Sequence, residues 1–310
     1  PGRFDAELAY VTGGMRWDAD YNIIAPEKGD KVDLVGWVTM DNQSGRTFEN
    51  ARIKLIAGDV NKIQDDEGGH IALSRARSFA SENAATVTQK SFDEYHMYTL
   101  ARQTTLRDRE TKQVEFVSAK GVRADRIYVY DGAKINHGRY RGWSAENYRS
   151  QADYGTQSNP KVWVMLEFEN SEDNGLGIPL PKGRFRFYRQ DDDGLLEFTG
   201  EDMIDHTPKD ETVRVYTGNA FDIVGERARI EFNKHPRRDE LDESFRIKLR
   251  NHKDKAVEVR VVEHLYRWSN WEIQKASDDF VKTDSRTVEF RVALDPDEEK
   301  VITYTAHYWW

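Results

Sequence analysis

The residues best suited to bind a ligand are clustered between positions 263 and 271. They are Tyr266, Arg267, Trp268 and Trp271, and they surround two small polar residues. Aromatic rings offer flat apolar faces that suit sugar rings, and an arginine beside them supplies hydrogen-bond donors. The cluster therefore predicts a ligand-binding site for carbohydrate. Packing at a strand junction is the alternative interpretation of the same residues, because aromatic side chains also fill protein cores.

Local signatures of catalysis are missing from the sequence. The string nearest to the G-x-S-x-G of α/β-hydrolases is centred on Ser144, but it lacks the second glycine and lies in an aperiodic stretch. No H-E-x-x-H occurs, the eight histidines are scattered singly, and no phosphate-binding glycine pattern is found. The sequence predicts no catalytic residue, metal ligand or cofactor, and it favours a role that is not enzymatic.

Three consecutive acidic residues, Asp191, Asp192 and Asp193, precede Gly194. Carboxylate oxygens are the ligands that calcium prefers, yet the D-x-D-x-D spacing and the distal glutamate of a calcium loop are absent. Aspartate and glycine also favour tight turns for backbone reasons. We interpret this segment as a hairpin turn.

Composition and charge exclude several classes of protein. The chain of 310 residues has 46 basic and 55 acidic side chains and a net charge of −9, which argues against a protein that binds nucleic acid. It has no cysteine, so disulfides and thiolate-bound metals are excluded. The sequence contains no run of 18 apolar residues, so it predicts no membrane-spanning helix. Because the sequence starts at Pro1 without a leader pattern, we expect an excised or processed form.

The elements that must position any site are β-strands. Apolar and polar residues alternate with a period of two in many short runs, which is typical of strands with one buried face. The clearest runs carry their apolar residues at Val32–Met40, Ala51–Ala57, Val162–Phe168, Phe245–Leu249, Val257–Val261 and Val288–Val292. Strands this frequent, without helical patterns between them, predict an all-β, antiparallel, sandwich-like architecture.

Two stretches lack this period and suggest how the chain is divided. Residues 64–90 are rich in small and polar residues, and residues 138–160 are rich in Gly, Tyr, Arg and Ser. Long stretches without secondary structure are uncommon inside compact domains unless they are functional or connecting. We therefore predict two packed sandwich domains, at residues 1–137 and 161–310, joined by a long loop or linker at 138–160.

A short pattern recurs three times. Runs that end at Asn42, Asn170 and Asn251 each close a strand with asparagine before a polar turn, and a further strand follows. A repeated structural unit would produce this pattern. Asparagine is also simply a good strand terminator, since its side chain bonds to nearby backbone groups. Both interpretations remain open at the level of sequence.

Much of the sequence resembles an uncharacterised bacterial domain family of unknown function, whose members are described as conserved exported proteins or as mucoidy-inhibitor-A-like. The similar stretches are residues 9–21, 36–45, 48–51, 55–61, 180–183, 216–222, 251–254 and 263–271. The resemblance implies a bacterial source, a β-rich fold and export to the periplasm or cell surface. It supplies no catalytic residues. The upstream domain and coiled coil of mucoidy-inhibitor proteins are not recognised in this sequence.

Three functions follow as hypotheses. The first is a non-enzymatic scaffold or binding module of the cell envelope that acts through protein–protein contacts, for instance by a free sheet edge that recruits a partner strand. The second is a carbohydrate-binding module that uses surface aromatics. The third is an envelope hydrolase whose active site is assembled from distant strands. The expected partner is thus a protein or a glycan of the cell envelope.

Overall fold

A computed structural model describes residues 3–26, 29–58, 87–92, 95–135, 138–235 and 237–310. Strands dominate these residues, and the prediction of an all-β, sandwich-like protein is confirmed. Most of the aperiodic stretch 64–90 lies outside the described residues, and its last four residues begin a strand. No helix in the described part of the chain is long and apolar enough to cross a membrane.

The elements are numbered here in chain order. The strands are β1 (Met15–Ala25), β2 (Lys31–Asn42), β3 (Phe48–Ala51), β4 (Lys54–Ala57), β5 (Val87–Phe92), β6 (Tyr95–Leu100), β7 (Thr104–Leu106), β8 (Glu110–Arg123), β9 (Asp125–Asp131), β10 (Lys161–Glu169), β11 (Gly183–Gln190), β12 (Leu196–Ile204), β13 (Thr212–His235), β14 (Glu240–Asn251), β15 (Val257–His264), β16 (Trp271–Ala276), β17 (Phe280–Lys282), β18 (Thr287–Leu294) and β19 (Glu299–Trp309). The helix α1 (Ala145–Ser150) and one turn of 3-10 helix (Glu172–Asn174) complete the described elements.

The chain forms two compact units, and each contains two separate stretches. The first unit contains residues 1–124 and 167–215, and the second contains residues 125–166 and 216–310. This division differs from the predicted one, because strands β10 and β13 run from one unit into the other. A boundary that falls within two strands leaves no linker composition for the sequence to reveal.

The first unit is built on a five-stranded sheet in the order β12-β11-β1-β2-β8. Its inner face carries Tyr21, whose ring stacks on Phe185 and meets the edge of Phe116. Tyr98, from the three-stranded sheet β4-β6-β5, also contacts Phe116. Aromatic residues from two sheets therefore meet in one core, as the period-two pattern requires of a sandwich.

Parallel pairing occurs within the described residues, where the sequence predicted antiparallel sheets. Strand β1 pairs with β11 in parallel, and β9 pairs with β15 in parallel. At the first pair the backbones are so close that a Cβ on Gly183 would lie 2.3 Å from the carbonyl oxygen of Ala19. Only glycine fits there, since a β-carbon would overlap a backbone atom that cannot move aside.

The second unit contains nearly all of a nine-stranded sheet in the order β16-β19-β14-β13-β10-β9-β15-β18-β17. Strands that are far apart in this order nevertheless touch. The ring of Phe290 on β18 lies 5.8 Å from that of Tyr304 on β19, and both side chains are buried. The sheet therefore folds over on itself and buries its inner face like a sandwich.

The recurring asparagines share one structural role. Asn42, Asn170 and Asn251 are all fully buried, although Asn42 and Asn251 end their strands at a turn and Asn170 follows directly after the end of β10. At Asn251 the side-chain amide donates to the carbonyl oxygens of Lys255 and Asp295, each at 2.9 Å, and its oxygen accepts from the backbone of Lys253 at 3.1 Å. The side chain thus ties its own turn to the turn between β18 and β19.

Asn42 makes the same set of bonds, and Asn170 makes a related set with a longer local turn. The amide of Asn42 donates to the carbonyls of Arg46 and Arg107, at 2.8 and 2.9 Å, and its oxygen accepts from the backbone of Ser44. The amide of Asn170 donates to the carbonyl of Pro208 at 2.8 Å. The turns that these asparagines hold each contain a residue of positive φ followed by glutamate, at Arg109–Glu110, Asp210–Glu211 and Asp297–Glu298. This correspondence favours a repeated structural unit over unrelated strand terminators.

Candidate functional site

A network of buried charges lies at the predicted ligand site in the second unit. Glu243 of β14 is fully buried and accepts two bonds from Arg267, at 2.9 and 2.8 Å. The same carboxylate accepts a bond from Arg229 of β13 at 3.0 Å. Two-point arginine–carboxylate pairs are among the strongest hydrogen-bonded ion pairs in proteins. One acid therefore holds two cations inside the folded sheet.

Arg267 uses all five of its N–H donors within the protein. Besides Glu243, its guanidinium donates to the carbonyl oxygens of Tyr148, Gln151 and Tyr154, at 2.6, 3.2 and 3.2 Å. The residue is only 2% exposed. Burial alone would lower its pKa, but the hydrogen bonds and charge of Glu243 outweigh that effect and raise the pKa. No donor of Arg267 is left for a ligand.

These bonds anchor the stretch 138–160, which the sequence predicted to be a long loop or linker. The carbonyls that Arg267 binds belong to α1 and to the loop after it. Gly155 lies in the same loop with φ +72°, and a Cβ there would lie 2.1 Å from the ring of Tyr266. The loop is held against the sheet because glycine alone allows this close approach.

A second buried pair lies on the same inner face. Arg227 of β13 donates through Nε to both carboxylate oxygens of Glu263 on β15, at 3.0 and 2.9 Å, and through Nη1 to the carbonyl of Gly155. The hydroxyl of Tyr304 also donates to Glu263. Burial, together with the charge of Glu263, raises the pKa of Tyr304 well above its ordinary value. The tyrosine therefore stays protonated and acts as a donor.

The aromatic members of the predicted site pack on the protein itself. Tyr266, Trp268 and Trp271 are half-buried against the core. The guanidinium of Arg149 lies 3.9 Å from the ring of Trp268, and the ammonium of Lys282 lies 4.5 Å from the ring of Trp271. Each tryptophan thus has a cation over one face. A cavity of about 370 Å³ lies beside Tyr266, and neither tryptophan lines it.

The structure places Arg267 in the charge network and Tyr266 beside it, bonded to the carbonyl of Tyr154, whereas Trp268 and Trp271 lie outside the network. Binding of a ligand by these four residues stays a prediction. The sequence reasoning missed Glu243, Glu263 and Arg227, although a signal for two of them was present. Glu243 precedes Phe245 by two residues and Glu263 follows Val261 by two, so both occupy inward positions of their strands.

His264, at the end of β15, makes side-chain contacts with two other strands. His264 Nε2 lies 3.0 Å from Asp131 at the end of β9, and its Nδ1 lies 3.4 Å from the hydroxyl of Thr287 at the start of β18. The hydrogen bond from His264 to Asp131 raises the pKa of the histidine, burial opposes this, and the charges of Asp131, Glu263 and Asp284 add to the rise. The charged imidazole is therefore stabilised by folding.

The stability of the protein should depend on pH through these contacts of His264. A histidine whose folded pKa is raised contributes fully below about pH 6.5, its unfolded value, and the contribution is lost as the pH rises through the folded pKa. We expect His264→Gln to be less stable than the wild type at pH 6. The difference in free energy of unfolding between the two proteins should narrow toward pH 9. Because the side chain of His264 is 40% exposed, solvent screening keeps this difference in free energy of unfolding to about 1 kcal/mol or less. Asp131→Asn should remove the same pH dependence, and a difference that is constant with pH would contradict this assignment.

The first unit has an open sheet edge at β12. Strand β12 pairs with β11 on one side and ends the five-stranded sheet, with no strand on its other side among the described residues. Leu196, Phe198 and Met203 on this strand are 48%, 55% and 55% exposed. Phe198 rests edge-on against Tyr188 of β11, with ring centroids 5.8 Å apart. An unpaired edge with exposed apolar side chains is a template for another strand.

Acidic side chains lie at the start of this edge. Glu197 lies on β12 itself and is exposed. The turn before the strand carries Asp191, Asp192 and Asp193, whose carboxylates are exposed and close together. The backbone of this turn closes with a bond from the amide of Gly194 to the carbonyl of Asp191, as predicted for a hairpin. The first half of the edge therefore presents apolar side chains in a negative field, whereas Glu201 further along the strand pairs with Arg184 and Arg186 of β11.

Comparisons with protein-family models, with curated proteins and with solved structures found no match for this chain.

Proposed function

We propose that this chain is a non-enzymatic binding module that adds an extended segment of a partner protein to the open edge of β12. The observation that carries the proposal is the combination of an unpaired edge with the exposed side chains of Leu196, Phe198 and Met203. Strand addition gains affinity from main-chain hydrogen bonds and selectivity from alternate side chains. Edges that are not used for binding are normally short, twisted or covered.

The charge of the edge defines the partner. Glu197 and the carboxylates of residues 191–193 attract lysine and arginine and repel acidic segments. The partner segment is therefore extended, with apolar residues alternating with basic ones. The family resemblance of the sequence adds the cell envelope as the compartment in which this partner is to be sought.

A defined peptide tests this function. We expect a labelled ten-residue peptide of alternating lysine and valine to bind the whole chain at low salt, and the glutamate–valine peptide to bind at least tenfold more weakly, measured by fluorescence anisotropy. Hydrogen exchange should show new protection of amides within residues 196–204, because the peptide covers that edge.

Variants separate edge pairing from general attraction to an acidic protein. Leu196→Arg with Phe198→Arg should lower the affinity for the lysine–valine peptide at least tenfold. Val281→Arg with Val301→Arg is the matched control, since it adds the same two charges at positions that are 63% and 42% exposed on β17 and β19 of the nine-stranded sheet. Equal loss in both variants, or protection outside β12, would show that the proposed edge is not the binding site.

A further inference from the structure

A second, separate feature of the first unit is an apolar pocket of about 320 Å³. Its floor is formed by the buried side chains of Met40, Leu55 and Leu106, which come from β2, β4 and β7. Trp17 and Phe48 form half-buried walls. Pockets of about 300 Å³ or more with apolar walls and a few polar groups are typical of small-molecule sites.

The rim of this pocket is positive. Arg16, Arg52 and Lys54 lie at its edge and are exposed. One acid, Asp41, shares the rim, and it is engaged by the Nε of Arg16 at 3.5 Å and by the hydroxyl of Thr111 at 3.0 Å. Arg52 and Lys54 have no acidic partner among the residues that the structure describes. Two cations are thus available above an apolar floor in a protein whose net charge is −9.

We propose that this pocket binds a small amphipathic anion, with its hydrocarbon chain against Met40, Leu55 and Leu106 and its carboxylate at Arg52 and Lys54. The floor offers apolar surface, and each CH₂ group buried there contributes about 0.8 kcal/mol. The rim offers charge-assisted hydrogen bonds to the head group. A neutral head gains less from this rim and a cationic head is repelled by it, so the two halves of the pocket favour one class of ligand.

The site does not depend on the proposed edge function. No residue of β11 or β12 lines the pocket, so a partner strand on β12 and an anion in the pocket are separate events. Failure of peptide binding would leave this proposal intact, and failure of anion binding would leave the edge proposal intact.

Isothermal titration calorimetry of the whole chain with three ten-carbon probes tests the proposal. Below micelle-forming concentrations, we expect decanoate to bind, decanol to bind at least fivefold more weakly, and decyltrimethylammonium to bind more weakly still. Binding of decanol as tight as that of decanoate would overturn the role of the rim. No binding of decanoate would overturn the site.

Two variants locate the bound anion. Ala51→Phe fills the pocket from β3 and should abolish decanoate binding, with thermal unfolding as the check that the variant folds. Arg52→Glu with Lys54→Glu changes only exposed side chains and should weaken decanoate at least tenfold while leaving decanol within twofold. Arg102→Glu with Lys120→Glu is the matched charge control, because neither residue lines the pocket. Equal weakening by the control pair would reduce the effect to net charge and overturn the proposal.

Discussion

Glu243→Gln should lower the free energy of unfolding by about 3–5 kcal/mol, which is typical of breaking a buried ion pair by removing one partner. Glu243 is fully buried and is the shared counterion of Arg229 and Arg267. Glutamine keeps the shape of the side chain but removes its charge, so two guanidinium groups lose their counterion inside the sheet. Urea denaturation at pH 7 measures the loss.

The matched control is Glu299→Gln. Glu299 also bridges two cations, Lys248 at 2.9 Å and Arg250 at 3.9 Å, but its side chain is 46% exposed. Because solvent screens this cluster, we expect a change within about 1 kcal/mol. A similar loss in free energy of unfolding for both variants would mean that water reaches Arg267 and screens the buried ion pairs.

Asn251→Asp should lower the free energy of unfolding by about 3–4 kcal/mol, although the two side chains differ by only one heavy atom. The amide of Asn251 donates to two carbonyl oxygens, and a carboxylate would instead place negative charge against those oxygens. Each buried carbonyl left without its donor costs about 1–3 kcal/mol, and burying an unpaired charge adds to that cost. Thermal or urea unfolding measures the effect.

The control for this substitution is Asn219→Asp, because Asn219 is exposed on β13 of the same unit. We expect that change to stay within about 0.5 kcal/mol. Since Asn42 has the same set of bonds, Asn42→Asp should destabilise the first unit by a similar amount. A cost of less than 1 kcal/mol at both positions would argue that the shared bonds are incidental to the repeated turns.

Much of the strand content could be predicted because it is encoded locally. Alternation along Phe245–Leu249 or Val257–Val261 places side chains on two faces whatever lies nearby, so β14 and β15 were recognisable. The candidate site was only partly accessible in this way. Tyr266 and Arg267 were noticed by type, but the role of Arg267 depends on Glu243, 24 residues earlier, and on carbonyls more than 110 residues away.

Neighbouring residues or composition alone specify the strand period, the turn residues, the asparagines at or just after strand ends and the lack of cysteine. The three-dimensional fold was needed to show which strands lie side by side, including the parallel pair of β1 and β11, and hence that β12 ends its sheet among the described residues. Edge position, cavity shape and ion pairing are properties of partners brought together from distant parts of the chain, and local patterning does not carry that information.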